Sequence, residues 1–268
     1  MNFTVLLSLY YKEKPEFLDE CFESIKNQSL KANEIVLVID GPIGDELDII
    51  VGKWEKTLQI KVLRLPINVG LGQALNKGID YCTNEIIIRM DTDDVCCDDR
   101  FKRQIEVLNK HEELALLGGH IEEYDENLQL LLGKRSVPIG YDLIKKKSAF
   151  KNPFNHMTVA FKKSRIQQVG GYQHHAMMED YNLWLRVIAA NYKVDNIDTV
   201  LVKARTGSSM LRRRKGIEYI KSEFLLFKLK RKLKAQPLLL GLFVFIMRSI
   251  TRVLPSALLR ICYKTQRK

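Results

Sequence analysis

A chain of 268 residues, 46% hydrophobic and 28% charged, carries enough apolar side chains for a large core, which excludes intrinsic disorder and fits one large domain with an appendage. The net charge of +11 is unevenly placed: residues 201–268 hold 18 Lys and Arg against two acids, Glu218 and Glu223, a balance of +16 that leaves the first 200 residues at −5. Any anionic partner, whether lipid headgroup, pyrophosphate or nucleic acid, is thereby assigned to the tail and not to the body.

Residues 3–9, 34–39, 60–65 and 85–90 are short runs rich in Val, Ile and Leu, the composition of buried parallel strands. Between the first two, Phe17, Leu18, Cys21, Phe22 and Ile25 recur at helical spacing; after the second, Leu47, Ile50, Val51, Trp54 and Leu58 do the same. The alternation predicts a mostly parallel sheet with helices on both faces and a ligand crevice at the carboxyl ends of the strands. Five cysteines, odd in number and without C-x-x-C spacing, point to a reducing compartment. The first strand begins at once, without the n-region and cleavage site of a secretory signal, so a cytoplasmic protein is expected.

Those strand ends are polar. The first runs through Ser8-Leu9-Tyr10, the second into Asp40-Gly41-Pro42 and the fourth into Asp91-Thr92-Asp93-Asp94. Carboxylates at a rigid strand end suit a hard divalent cation that also binds phosphate oxygens; the alternative is a turn or helix cap rich in Asp. Arg89, just before this cluster, lowers the carboxylate pKa values or touches phosphate; the alternative is a structural ion pair.

The loop from Asn68 through Gly70, Leu71 and Gly72 to Asn76 and Gly78 follows the third strand and opens a helix, so its small residues permit close backbone approach and its helix start favours an anion. Farther on, 114–117 and 156–161 read as strands and 179–190 as a helix that starts on Glu179-Asp180. His156 opens the second of these runs as either a ligand contact or a structural histidine. A further strand-like run at 200–204 precedes Ser208-Ser209-Met210-Leu211-Arg212-Arg213-Arg214.

Taken together, Val5-Leu6-Leu7-Ser8-Leu9-Tyr10, Val38-Ile39-Asp40-Gly41, the Asn68 to Gly78 loop, Arg89-Met90-Asp91-Thr92-Asp93-Asp94 and Glu179-Asp180-x-x-Leu183-Trp184 resemble the family 2 inverting glycosyltransferases, in particular bacterial ones that build O-antigen and exopolysaccharide. The resemblance implies the GT-A fold, an α/β Rossmann-like sheet, over residues 1–214, with 1–115 binding nucleotide-sugar and 116–214 binding acceptor. It implies that Ser8, Tyr10, Asn68 and Gly72 line the nucleotide-sugar pocket, that Asp40 bonds the base, and that Asp91 and Asp93 hold ribose and a Mn2+ or Mg2+ ion. Asp180 becomes the catalytic base, with Glu179 placing sugar or acceptor. Arg212 and Arg213 belong to a basic segment that closes over the diphosphate. The implied donor is a UDP-hexose or UDP-N-acetylhexosamine, and the implied acceptor a saccharide on a polyisoprenyl diphosphate.

Residues 215–268 read as basic amphipathic helices. The apolar run 238–247 stops at Arg248, short of the roughly 20 residues that span a bilayer. The tail is therefore expected to lie on an anionic membrane at the inner face of the cell membrane; the alternative is a core helix on the catalytic body. A dinucleotide oxidoreductase is disfavoured because Ser8-Leu9-Tyr10-Tyr11-Lys12-Glu13 replaces the glycine fingerprint after the first strand. A non-enzymatic membrane- or nucleic-acid-binding protein gives no reason for acids at strand ends, and no nucleic-acid partner is expected.

Overall fold

In the computed structural model, which describes residues 1–206 and 216–253, the predicted alternation is present as β1 (Phe3–Leu9), α1 (Pro15–Lys26), β2 (Glu34–Ile39), α2 (Asp45–Leu58), β3 (Lys61–Arg64), α3 (Leu71–Tyr81) and β4 (Ile86–Asp91). Side chains on these strands alternate between two cores. Val5, Leu7, Ile35, Leu37, Ile86 and Ile88 face α1, α2 and α4 (Arg100–Lys110), whereas Leu6, Val36, Val38 and Ile87 face α3 and α7 (Glu179–Ala189). Both faces are covered, which is why the strands are apolar throughout and not alternating.

The remaining strands are β5 (Val95–Cys96), β6 (Leu114–Tyr124), β7 (Leu131–Arg135), β8 (Ala160–Lys162) and β9 (Lys193–Arg205). They extend the sheet to the order β3-β2-β1-β4-β8-β6-β9-β5, with β7 on β6. β3, β2, β1 and β4 are mutually parallel; β8 is antiparallel to both β4 and β6. Residues 156–161 are not one strand: His156–Thr158 is a 3-10 turn before β8. Asn155 Nδ2 donates to the Gly119 carbonyl at 2.9 Å, and Thr158 Oγ1 donates back to Asn155 O at 2.8 Å, which closes the turn. Two short helices, α5 (Tyr141–Ser148) and α6 (Lys163–Gln168), complete this half.

α8 (Ile217–Lys232) and α9 (Leu238–Val253) follow. Tyr219 and Leu226 of α8 bury against Met178, Tyr181 and Leu185, so α8 covers α7 as a core helix does. Arg248 and Arg252, expected to meet lipid, turn inward: both donate to Glu223, whose side chain is 1% exposed. No helix among the described residues is long and apolar enough to cross a membrane.

Candidate active site

Register brings the polar strand ends to one level. Ser8 lies beside Asp91, Leu9 beside Ile39, and the Asp40 amide donates to Leu9 O at 2.7 Å. The Asp40 carboxylate accepts from the amides of Val69 and Gly70 at 2.7 and 3.0 Å, while Asn68 Nδ2 donates to Asp40 O at 3.0 Å. Asp40 and Asn68 thus lock the β3–α3 loop to the end of β2. The lock needs Gly41: its φ is +86°, and a Cβ there would lie 2.6 Å from Asn68 N. Ser8 is half-buried and Tyr10 exposed. Nearby, Tyr11, Glu13, Gly44, Asp45 and Leu47 line an open cleft of about 370 Å³.

Asp91 ends β4, and one carboxylate oxygen from each of Asp91, Asp93 and Asp94 falls within 4.8 Å of the others. The cluster is held from beneath. Arg89, 2% exposed, grips Asp91 with both terminal nitrogens, Nη1 at 2.6 Å from Oδ2. The Arg205 amide donates to Asp94 Oδ1 at 2.9 Å, and its guanidinium donates to the Asp93 carbonyl. Thr92 Oγ1 donates to Glu13 Oε2 at 2.8 Å.

Burial, then the charges of Asp91 and Glu13, push Asp93 up to about 7, and burial, then the charges of Asp93 and Asp91, raise Asp94. Burial also raises Glu13. Hard oxygen donors repelling one another in a half-buried turn fit a divalent cation, and all three acids of the cluster could offer it a ligand. Asp94, Glu13 and Arg205 were not among the expected site residues. Asp94 is next to the predicted pair and Glu13 follows the first strand end, but no local pattern ties Arg205 to residues 111 positions earlier.

The second half of the site is the start of α7. Asp180 Oδ2 accepts from Asn152 Nδ2 at 2.6 Å, and Oδ1 from the Tyr181 amide at 2.7 Å. Burial raises the pKa of Asp180, with these hydrogen bonds opposing, and burial likewise raises Glu179. The two halves meet at Gly72, where a Cβ would make ordinary contacts at 3.5 Å with Tyr172 Cβ and 3.6 Å with Glu179 Cβ. Asn76 fixes Tyr172, donating to its carbonyl at 2.7 Å and accepting from its amide at 2.8 Å.

Arg89 acts on both halves, its charge favouring the ionised forms of Asp93, Glu179 and Asp180. It does this while paired with Asp91, so the ion pair and the tuning of carboxylates are found together in one side chain. His156 Nε2 meets the Tyr172 hydroxyl at 2.7 Å, and burial followed by Arg89 holds its pKa well below the ordinary range, so it is a neutral hydrogen-bond partner within this wall. His175 bonds Ser222 O at 2.9 Å and Asn182 Nδ2 at 3.1 Å, tying α7 to α8. Arg212, Arg213 and Arg214 lie outside the described residues.

A family described as glycosyl transferase family 2 matches residues 6–171. The chain is 43% identical over 266 residues to the amylovoran biosynthesis glycosyltransferase AmsE of Erwinia amylovora, covering 99% of each. It is 36% identical over 222 residues to the UDP-Gal:alpha-D-GlcNAc-diphosphoundecaprenol beta-1,3-galactosyltransferase of Escherichia coli, covering 83% of this chain and 80% of that one. In fold it resembles the mannosyltransferase PcManGT of Pyrobaculum calidifontis, solved with GDP-Man and Mn2+, at a TM-score of 0.66 and 16% identity, covering 98% of this chain and 79% of that one.

Proposed function

Because this chain belongs to glycosyl transferase family 2, we propose that it moves a hexose or N-acetylhexosamine from a UDP-sugar, with inversion, onto a saccharide borne on a polyisoprenyl diphosphate in the assembly of a bacterial surface polysaccharide. The nucleotide and the lipid carrier are those in the name of the Escherichia coli relative, and the pathway class is that of AmsE.

The observation that carries the reading is the placement of Asp180, a carboxylate fixed at both oxygens and close enough to Arg89, the partner of Asp91, for its charged form to be favoured. As the acceptor hydroxyl attacks the anomeric carbon, Asp180 takes its proton while the bond from that carbon to the diphosphate breaks and UDP leaves. Burial raises its proton affinity towards the working pH, as general-base catalysis requires. One base and one displacement invert the sugar.

Glu179, beside Gly72, orients the transferred sugar. Ser8, Tyr10, Asp40, Asn68 and Gly72 form the wall for nucleoside and sugar, Arg89 supports the Asp91 side, and Arg212 with Arg213 is assigned to the diphosphate from sequence. Asp91 and Asp93 would hold Mn2+ or Mg2+, which when bound neutralises charge on the departing diphosphate.

The C-terminal helices suit the inner surface of an anionic membrane. Leu239, Phe243, Ile246, Met247 and Ile250 of α9 are exposed, and Phe224 of α8 packs on Phe245 at 5.8 Å beside exposed Lys221, Lys228 and Lys232.

The test is calorimetric titration of UDP, GDP and dTDP with Mn2+ and then EDTA, followed by turnover of Asp180→Asn. UDP should bind in a metal-dependent manner, and the variant should keep UDP but lose about 10³-fold in kcat. Undiminished turnover by the variant, or a product retaining the donor's anomeric configuration, would sink the mechanism.

A further inference from the structure

Between Asp180 and the C-terminal helices runs a bridge of chain, residues 147–152, whose cations the mechanism above does not use. Asn152 at one end holds Asp180. At the other end the chain is gripped by α8 and α9: Lys230 Nζ donates to Ala149 O at 2.8 Å, and Arg248 Nη1 to Phe150 O at 3.2 Å. Turn hydrogen bonds from the amides of Phe150 and Lys151 to Lys147 O, at 2.9 and 3.0 Å, put Lys147 and Lys151 on successive turns of one face.

Arg135, at the end of β7, completes the cluster. Its carbonyl accepts from Asn155 Nδ2 at 3.3 Å, and its guanidinium is near enough to favour the charged form of Asp180. Burial, then the neighbouring charges of Lys147 and Arg135, lower the pKa of Lys151. Both lysines are exposed, and neither ammonium has a carboxylate partner among the described residues. Lys147 and Lys151 are like charges on one face, with Arg135 near enough to disfavour the charge of Lys151, and a dianion placed against the two lysines relieves their repulsion.

We infer that Arg135, Lys147 and Lys151 form the cradle for the diphosphate of the acceptor, one sugar ring away from the hydroxyl that Asp180 deprotonates. This rests on the lipid-linked acceptor reading and deepens it. The order along the chain matches such a ligand: Asn152 on the base, then Lys151, then exposed Phe150, whose carbonyl is held by Arg248 of α9. Lysine and arginine supply charge-assisted contacts to phosphate oxygens, and the partly buried floor strengthens them.

The same chemistry would serve the donor's diphosphate, so the test separates the two. Dodecyl diphosphate is titrated into the full chain saturated with UDP, and UDP is titrated alone, for wild type, Lys147→Gln/Lys151→Gln, Arg135→Gln and Lys56→Gln, the last removing an exposed charge on the opposite face of the sheet. The double variant and Arg135→Gln should each bind dodecyl diphosphate at least about tenfold more weakly, with Lys56→Gln matching wild type. Unchanged affinity in the double variant, or a loss that falls on UDP instead, overturns the cradle. Transfer assays on wild type read the acceptor class: indifference to whether the acceptor sugar carries a diphosphate or a simple alkyl group overturns the lipid-linked reading and the cradle together. A diphosphate preference that survives both lysine substitutions overturns the cradle alone.

Discussion

Asn152 donates to Asp180 across 28 residues of sequence at 2.6 Å, and this bond both aims the carboxylate and lowers its proton affinity against the effect of burial. Asn152→Ala removes both effects. Loss of a hydrogen bond to a charged group is expected to reduce kcat by about tenfold. Because the lost bond favoured the ionised form, the acidic limb of the kcat/KM profile should move to higher pH. A uniform drop at every pH would show a merely structural role.

Two helical glycines should respond oppositely to alanine. At Gly78 of α3 a Cβ would lie 2.5 Å from Leu6 Cδ1 and 2.7 Å from Val38 Cγ2, both fully buried, whereas at Gly52 of α2 nothing lies within 4 Å. Gly78→Ala should destabilise by about 1–3 kcal/mol despite the better helix propensity of alanine, and Gly52→Ala should stabilise by about 0.5–1 kcal/mol. Urea midpoints decide the signs.

Glu34 contributes acid-sensitive stability. Burial works against its charge, but hydrogen bonds from Lys61, Thr4 and Thr83 prevail and lower its pKa to about 2 from an ordinary 4.5. A depressed carboxylate stabilises the fold fully above its unfolded value, and that contribution fades as pH falls from about 4.5 towards 2. Glu34→Gln should lower stability by about 2 kcal/mol at pH 7 and flatten the acid limb of the stability curve. An unchanged acid limb would contradict the assignment.

Glu223 neutralises two guanidinium groups at the α8–α9 junction, where its own side chain is 1% exposed. Glu223→Gln leaves those charges without a counter-ion and should destabilise by about 3–5 kcal/mol. Glu218→Gln, which removes an exposed partner of Lys221, should stay within about 0.5 kcal/mol of wild type. Similar midpoints for the two variants would mean that α9 is not held by this junction.

Much of this molecule was legible before its coordinates. Apolar runs of strand length, helical spacing between them and the adjacency of Asp91, Asp93 and Asp94 are local features, and local features survive in a linear reading. The same holds for Glu179-Asp180 at a helix start. The five motifs therefore established the family and the sheet with its carboxyl-end crevice, and the profile match and relatives agree.

What the tertiary structure alone decided is which distant group answers each polar one. Arg205 reaches Asp94, Asn152 reaches Asp180, and Asp40 turns to the amides of Val69 and Gly70. The basic tail shows the difference most clearly. Its composition fixed its charge and amphipathic pattern, but the direction of Arg248 and Arg252 depended on where Glu223 came to rest. Periodicity reports the average burial of a face, whereas the partner that satisfies a buried charge is set by long-range packing, which no window of sequence contains.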